Sequence, residues 1–410
     1  MGKEKILIRT LKIFLSLCVF AALYFIPFEF HLTLESDMNT TSVFALRESL
    51  AEDVEDIEVN HHQRMPAFYI YDDGINWTAI LCLKGKEVLS VEEALHTTWW
   101  KHSDDFWFLR HALEHPARVR DPELAEVFVV GGLFNLIVEQ KAWSQMRCCV
   151  GAVCNEDLLQ KVDNMLGNST WFKRSQGRDH VLVASHYASR KTFRHFESIS
   201  KCNWIAWEHN GLDDERLRLA STYVGNGCES TISGKTHDVA FVGSMKNKTN
   251  FHSRHDVCGW LQKEPHRWHV SVCGEGRQCP ALAEARIGLH LRGDTLGSSR
   301  LMDILLSNSV PVMTEEQQYD ILPPFLPWRK MTAFAAVDTK EHFFETLDKL
   351  DIWKVEKFNK ENRISAKLDW RNKYLFEQYM KAFYLVSSRL SWKELLLQMA
   401  HLPSMGETTV

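Results

Sequence analysis

The stretch with the most potential for chemistry is Arg292-Gly293-Asp294-Thr295-Leu296-Gly297-Ser298-Ser299-Arg300-Leu301-Met302-Asp303-Ile304-Leu305. A strand-like segment, Ile287 to Leu291, enters a loop of glycine and hydroxyl residues, and the loop opens into an amphipathic helix near Ser299. Loop amides and a helix N-terminus together form an anion site, for which a diphosphate is a natural occupant. Ser298 and Ser299 are placed to cap the helix or to donate to phosphate oxygens. Arg300 offers a planar guanidinium fork, with Arg292 at the loop entrance. Asp303, about one turn further on, could accept hydrogen bonds from ribose hydroxyls. The competing reading is a plainly capped helix start with an exposed Arg and Asp. Position favours the ligand: the loop lies at the carboxyl end of a strand in an α/β lobe, where such folds bind ligands.

Two further groups could share in the chemistry. Asp238 to Ser244 reads as a strand running into a turn at Gly243, and Arg254 on the following helix adds positive charge. The strand His180-Val181-Leu182-Val183-Ala184-Ser185-His186 carries a histidine at each end and follows Asp179. A strand-end histidine titrating near its ordinary value is a candidate general base. Asp179 could equally pair with Arg174 or Arg178, and His180 could point into core. The base is therefore open among His186, His180, Asp179 and a carboxylate the sequence does not single out. No Asp-x-Asp occurs in the chain. A carboxylate-held metal is not expected, and the charge of a departing anion falls to arginines and amides.

The elements that must position these groups begin at Pro66. Ala67 to Tyr71 is a short aromatic and β-branched run ending in Asp72-Asp73-Gly74, a strand and turn. Leu124 to Val130, closed by Gly131-Gly132, and His180 to Ser185 are two more apolar runs, with helical spacing between, as in Val91 to Leu113. The pattern then restarts with Asp238 to Val242, a helix from Arg254 to Leu261, and strands at Trp268 to Val272, Val310 to Met313 and Ala333 to Val337. Buried strands alternating with helices indicate parallel sheets covered on both faces. The reading is α/β: two Rossmann-like lobes, 66–229 and 230–365, facing one cleft, with a helical segment 366–410 running back over the first lobe.

Lys3, Lys5, Arg9 and Lys12 precede the uncharged run Ile13 to Phe28, and Glu29, Glu35 and Asp37 follow it. This charge order predicts a cytoplasmic tail (1–12), one transmembrane signal-anchor (13–28) and a lumenal body, single-pass type II. The rival, a cleaved signal peptide, lacks a small-x-small site after the apolar run. Residues 29–65 are acidic and read as a stem. Asn39, Asn76, Asn168 and Asn247 open Asn-x-Ser/Thr sequons, in keeping with glycosylation in the lumen. Nine of the ten cysteines follow the anchor, so disulfides are the default there, with at least one thiol left over in a monomer. No Cys-x-x-Cys pair supports zinc. A net charge of −5 argues against a nucleic-acid binder.

The chain resembles the exostosin family, glycosyltransferase family 47, in several stretches in order. These are Phe68-Tyr69-Ile70-Tyr71; Arg120 to Ala125 with Val127-Phe128-Val129-Val130; Trp171 to His180; Phe241-Val242-Gly243 with Arg254; and Arg292-Gly293-Asp294, Ser298-Ser299-Arg300, Asp303, Pro311-Val312, Ile321 to Phe325 and Trp328. It departs from the family pattern at Gly288-Leu289-His290-Leu291, at Asn308-Ser309 where Gly-Cys is usual, and at His186-Tyr187 where His-Asp is common. The resemblance implies a GT-B arrangement with an acceptor-side N-terminal lobe and a nucleotide-sugar-binding C-terminal lobe. It further implies inversion at the anomeric carbon and a nucleoside-diphosphate donor, UDP-linked; with no Asp-x-Asp in the sequence, no metal or other cofactor is expected. The acceptor would be a polysaccharide or a glycoprotein glycan and the compartment the Golgi. Another glycosyltransferase subunit as partner is left open. The alternative is a non-catalytic glycan-binding or assembly partner on the same fold, which the His186-Tyr187 departure permits. A secreted hydrolase lacks a Gly-x-Ser-x-Gly elbow or a His-Glu-x-x-His site to support it.

Overall fold

The computed structural model describes residues 64–71, 82–83, 87–88, 98–144, 149–150, 153–213, 216–228 and 234–389. The expected tail, anchor and nearly all of the stem lie outside the described residues, as do Asn39 and Asn76. Among the described residues no helix is long and apolar enough to cross a membrane.

The first sheet is built from β1 (Phe68–Tyr71), β2 (Val127–Val130), β3 (His180–Ala184), β4 (Asn203–Ala206), β5 (Gly211–Asp213) and β6 (Arg216–Ala220). Their order is β1-β2-β3-β4-β6-β5, parallel throughout except for β5, which pairs antiparallel at the edge. The central strands β2 and β3 are nearly continuous apolar runs because both faces are covered. Phe68, Ile70, Val127, Val129, Val181 and Val183 pack on one face with Trp107 and Phe108 of α1 (Asp104–Glu114). Phe128, Val130, Leu182 and Trp204 pack on the other with Phe134 and Ile137 of α2 (Phe134–Ser144) and Leu159 and Val162 of α3 (Asn155–Asn168). Each such side chain contributes about 1.5–3 kcal/mol through burial.

The second sheet comprises β7 (His237–Val242), β8 (Val270–Gly274), β9 (Ala285–His290), β10 (Val310–Met313) and β11 (Ala333–Phe334). The order is β8-β7-β9-β10-β11, all parallel. Its helices include α4 (His252–Lys263), α5 (Gln278–Glu284), α6 (Arg300–Leu306) and α7 (Lys340–Asp348). Chain order reverses between β7 and β9, and the crevice beyond their carboxyl ends is where a parallel sheet takes a ligand. The whole is mixed α/β with two parallel sheets, consistent with a Rossmann-like GT-B fold.

The lobes are packed together as well as facing each other. Leu301, Met302 and Leu305 of α6 and Tyr319, Leu322, Phe325 and Trp328 belong to the same core cluster as Phe68. The last helix among the described residues, α8 (Tyr374–Arg389), lies on the first lobe: Phe376 meets Phe68 and Phe108 at 5.7 and 4.9 Å, and the Tyr379 hydroxyl donates to Ala220 O at 2.6 Å.

Cys228–Cys279 and Cys258–Cys273 are disulfides, and Cys202 is a buried free thiol. One family departure has a plain geometric explanation. Asn308 stands at φ 56°, the left-handed region that glycine usually supplies and asparagine tolerates better than most residues.

Candidate active site

At the carboxyl ends of β7 and β9 two arginines reach in from opposite sides. Arg300, in the first turn of α6, donates Nε–H to Val242 O at 2.7 Å and Nη1–H to Leu291 O at 3.0 Å, so it ties the two strand ends together. Arg254, from α4, does the same slightly further out, donating to Arg292 O at 2.7 Å and Ser244 O at 2.8 Å. Both are buried, at 7% and 3% exposure. Each leaves Nη2 beside a glycine: a Cβ on Gly243 would lie 2.7 Å from Arg300 Nη2, and one on Gly293 would lie 2.9 Å from Arg254 Nη2. Any larger residue there would displace a guanidinium. Burial and the neighbouring Arg254 pull the Arg300 guanidinium down to about 9. Neither arginine has a carboxylate within ion-pair distance among the described residues. Two desolvated cations held by neutral oxygens cost several kcal/mol each unless an anion compensates them.

The surrounding residues differ from the sequence expectation in detail. Helix α6 has only seven residues, and Ser299 precedes it with φ −57° and ψ −18°, not the extended backbone a capping side chain needs, so it makes no cap bond. Ser298 Oγ instead accepts from Arg300 Nη1 at 3.4 Å. Arg292 pairs with Glu315 at 3.2 Å, and Asp294, exposed, pairs with Lys248 at 2.7 Å. Asp303, expected to meet ribose, faces the segment between the lobes. It is wholly buried, and its oxygens accept from Asn226 N and Nδ2 at 2.5 and 2.6 Å and from Gln278 Nε2 at 2.5 Å. Burial raises this carboxyl to about 6. Its work is to fasten the segment between the lobes onto α6.

In the first lobe the expected base residues are drawn into the interior. Asp179 and His180 stand at the amino end of β3, the wrong end of a parallel sheet for a ligand. His180 is fully buried, bonded to Asp179 at 2.6 Å and the Tyr71 hydroxyl at 3.0 Å, and stacked on Phe128. Asp179 also pairs with Arg174 at 3.2 Å. His186 is at the correct end, but it is 1% exposed, with Nε2 on Glu139 at 2.7 Å and Nδ1 accepting from Ala188 N. Nearby, Asp104 collects Ser185, Ser221 and Asn135, and burial raises it to about 6. That cluster braces the ends of β3 and β6.

The carboxylate that does reach the other lobe is Glu208, just past β4. Tyr223 OH donates to its Oε1 at 2.9 Å, and Thr295 Oγ1, from the loop after β9, donates to the same oxygen at 2.8 Å. Trp207 Nε1 donates to Tyr223 OH at 2.8 Å. Burial raises the Glu208 carboxyl above the ordinary range, against the hydrogen bonds from Thr295, Tyr223 and Gly297 N. Sequence reasoning missed it because Asn203 to Ala206 did not register as a strand; an acid closing that run, at Trp207-Glu208, was the available signal. Among the described residues no group of three or more His, Cys, Asp or Glu could hold a metal.

Two parallel sheets, buried arginines at the switch point and a carboxylate reaching across from the facing lobe are consistent with a two-lobed glycosyltransferase. The comparison with known families agrees. The Exostosin GT47 domain profile matches residues 69–350, and the chain belongs to that glycosyltransferase family. A comparison with curated proteins finds no match.

Proposed function

We propose that this glycosyltransferase moves a sugar, with inversion, from a UDP-linked donor onto a hydroxyl of a polysaccharide or glycoprotein glycan. The observation that carries the reading is the Arg300–Arg254 pair: two buried guanidiniums beside glycines at the switch point, with carbonyl partners and no carboxylate. A diphosphate is the anion that matches two adjacent cations at the end of a parallel sheet. As the bond from the anomeric carbon to the diphosphate breaks, charge gathers on the leaving oxygens, and these guanidiniums stabilise it. The reaction so drawn uses arginines and amides where other transferases use a metal, and we expect no metal requirement.

The cell-biological side rests on the first 28 residues and on surface chemistry. A basic tail before an uncharged run supports a type II anchor in the Golgi membrane with the body in the lumen. Asn168 and Asn247, both exposed, leave their sequons open to glycosylation, and two disulfides suit an oxidising compartment.

Thermal unfolding of the full-length protein against a panel of nucleoside-diphosphate sugars tests the proposal. At least one UDP-sugar should raise Tm by several degrees; a panel that leaves Tm unmoved at millimolar concentration rejects it. Turnover unchanged by chelator agrees with metal-free chemistry, and turnover abolished by chelator contradicts it.

A further inference from the structure

We infer that Glu208 is the catalytic base, taking the proton from the acceptor hydroxyl through its Oε2. This rests on the transferase reading above and names the residue that performs its acceptor half.

Four observations converge on this side chain. First, its place: Glu208 follows β4 at the carboxyl edge of the first sheet and touches the β9 loop, the same loop that carries Arg292 and Gly293. Second, its asymmetry: the side-chain bonds from Tyr223 and Thr295 both end on Oε1, and among the described residues no side chain donates to Oε2. One oxygen is anchored and the other is left to act. Third, its backbone: Glu208 stands at φ 43°, a left-handed region that an L side chain with a full stem enters only at a cost. Fourth, the space made for it: a Cβ on Gly297 would lie 2.5 Å from Oε1 and 3.0 Å from Cδ, so the facing loop admits the carboxylate only because residue 297 is glycine. A residue that merely latched two loops together would have no need of the strained backbone and the half-used carboxylate at once.

The step balances simply. The acceptor oxygen attacks the anomeric carbon opposite the diphosphate while its proton passes to Oε2. The carbon–oxygen bond to the diphosphate breaks, its electron pair leaving with the nucleotide, and configuration inverts. The proton later returns to solvent. The groups facing Glu208 are Tyr223 from the segment after β6 and Thr295, Gly297 and Arg292 from the β9 loop. Tyr223 is itself pushed far up by burial, so it stays a neutral donor at physiological pH. The carboxylate is then the group that titrates on the acid side, at a pH above that of an ordinary glutamate.

The test uses the full-length protein with UDP-sugar donor, comparing wild type, Glu208→Gln and Glu208→Asp for kcat, donor affinity and pH profile. Glu208→Gln should lose about 10²–10⁴ in kcat, bind donor within a few-fold of wild type and lose the acid limb of the profile. Glu208→Asp should recover part of kcat and keep that limb. Glu208→Gln turnover within fivefold of wild type with an unchanged acid limb overturns the assignment and leaves the transferase reading standing. A parallel fall in Tm and donor affinity, with the limb intact, also overturns it, as the mark of a structural latch. Wild type that neither binds nor transfers any UDP-sugar overturns both.

Discussion

Arg300 and Arg254 lie against the same ring, Phe241, with their Cζ atoms 4.7 and 5.6 Å from its centroid. The aromatic face softens the loss of water around each guanidinium without neutralising it. The pair is therefore a standing positive charge at the β7–β9 crevice, kept in place by carbonyls and shaped by two glycines.

The glycines give the first prediction. Gly243→Ala would place a methyl 2.7 Å from Arg300 Nη2 and 2.9 Å from Phe241 Cζ, and Gly293→Ala would press on Arg254. Each should weaken donor binding by about 1–2 kcal/mol, roughly five- to thirtyfold, with little change in Tm. Calorimetric titration of UDP against the two variants reads this directly. Affinity equal to wild type in both would mean the guanidiniums do not meet the donor.

Asp303 should behave as structure and not as ligand contact. Asp303→Ala strands the Asn226 amide and side chain and Gln278 Nε2 inside the protein, at a cost of about 2–4 kcal/mol. Urea unfolding should show that loss. A variant of wild-type stability with selectively lost donor affinity would restore the ribose role.

Stability should also fall with acid through His290, which burial and the nearby Arg300 push down to about 3. The unfolded chain holds a proton on this residue below about 6.5, and the folded one does not until about 3. Its contribution is thus complete above 6.5 and is lost as pH falls towards 3. Between pH 6.5 and 5 wild type should lose about 1.5 kcal/mol more than His290→Leu does. Equal losses in urea melts at the two pH values would contradict the buried, neutral histidine.

The Cys228–Cys279 disulfide closes a span of 51 residues that joins the interlobe segment to α5. By chain entropy it contributes about 4 kcal/mol. Cys228→Ser/Cys279→Ser should lower stability by that order, while Cys202, wholly buried with its thiol pushed up, should resist alkylation until the protein unfolds. Labelling of Cys202 in the native protein would contradict its placement.

Much of this fold was legible because parallel strands buried on both faces leave unbroken apolar runs, as at Val127 to Val130 and Val310 to Met313. Arg300 and Gly243 were legible as neighbours of a strand end. What could not be read was direction. Arg300 turns inward to Val242 O, 58 residues away, and Asp303 turns back to Asn226, 77 residues away. His180 and His186 looked alike in sequence, yet only register and end-on position in the sheet decide that one is at the amino end and both are enclosed. Glu208 owes its environment to Thr295, 87 residues on, and no local pattern carries that.

The most direct test of the central claim is calorimetric titration of the full-length protein with UDP and with uridine, on wild type, Arg254→Leu and Gly293→Ala. The account predicts that UDP binds wild type at least tenfold more tightly than uridine, and that both substitutions erase most of that difference. UDP and uridine bound alike by wild type, or a UDP preference untouched in both variants, would contradict it.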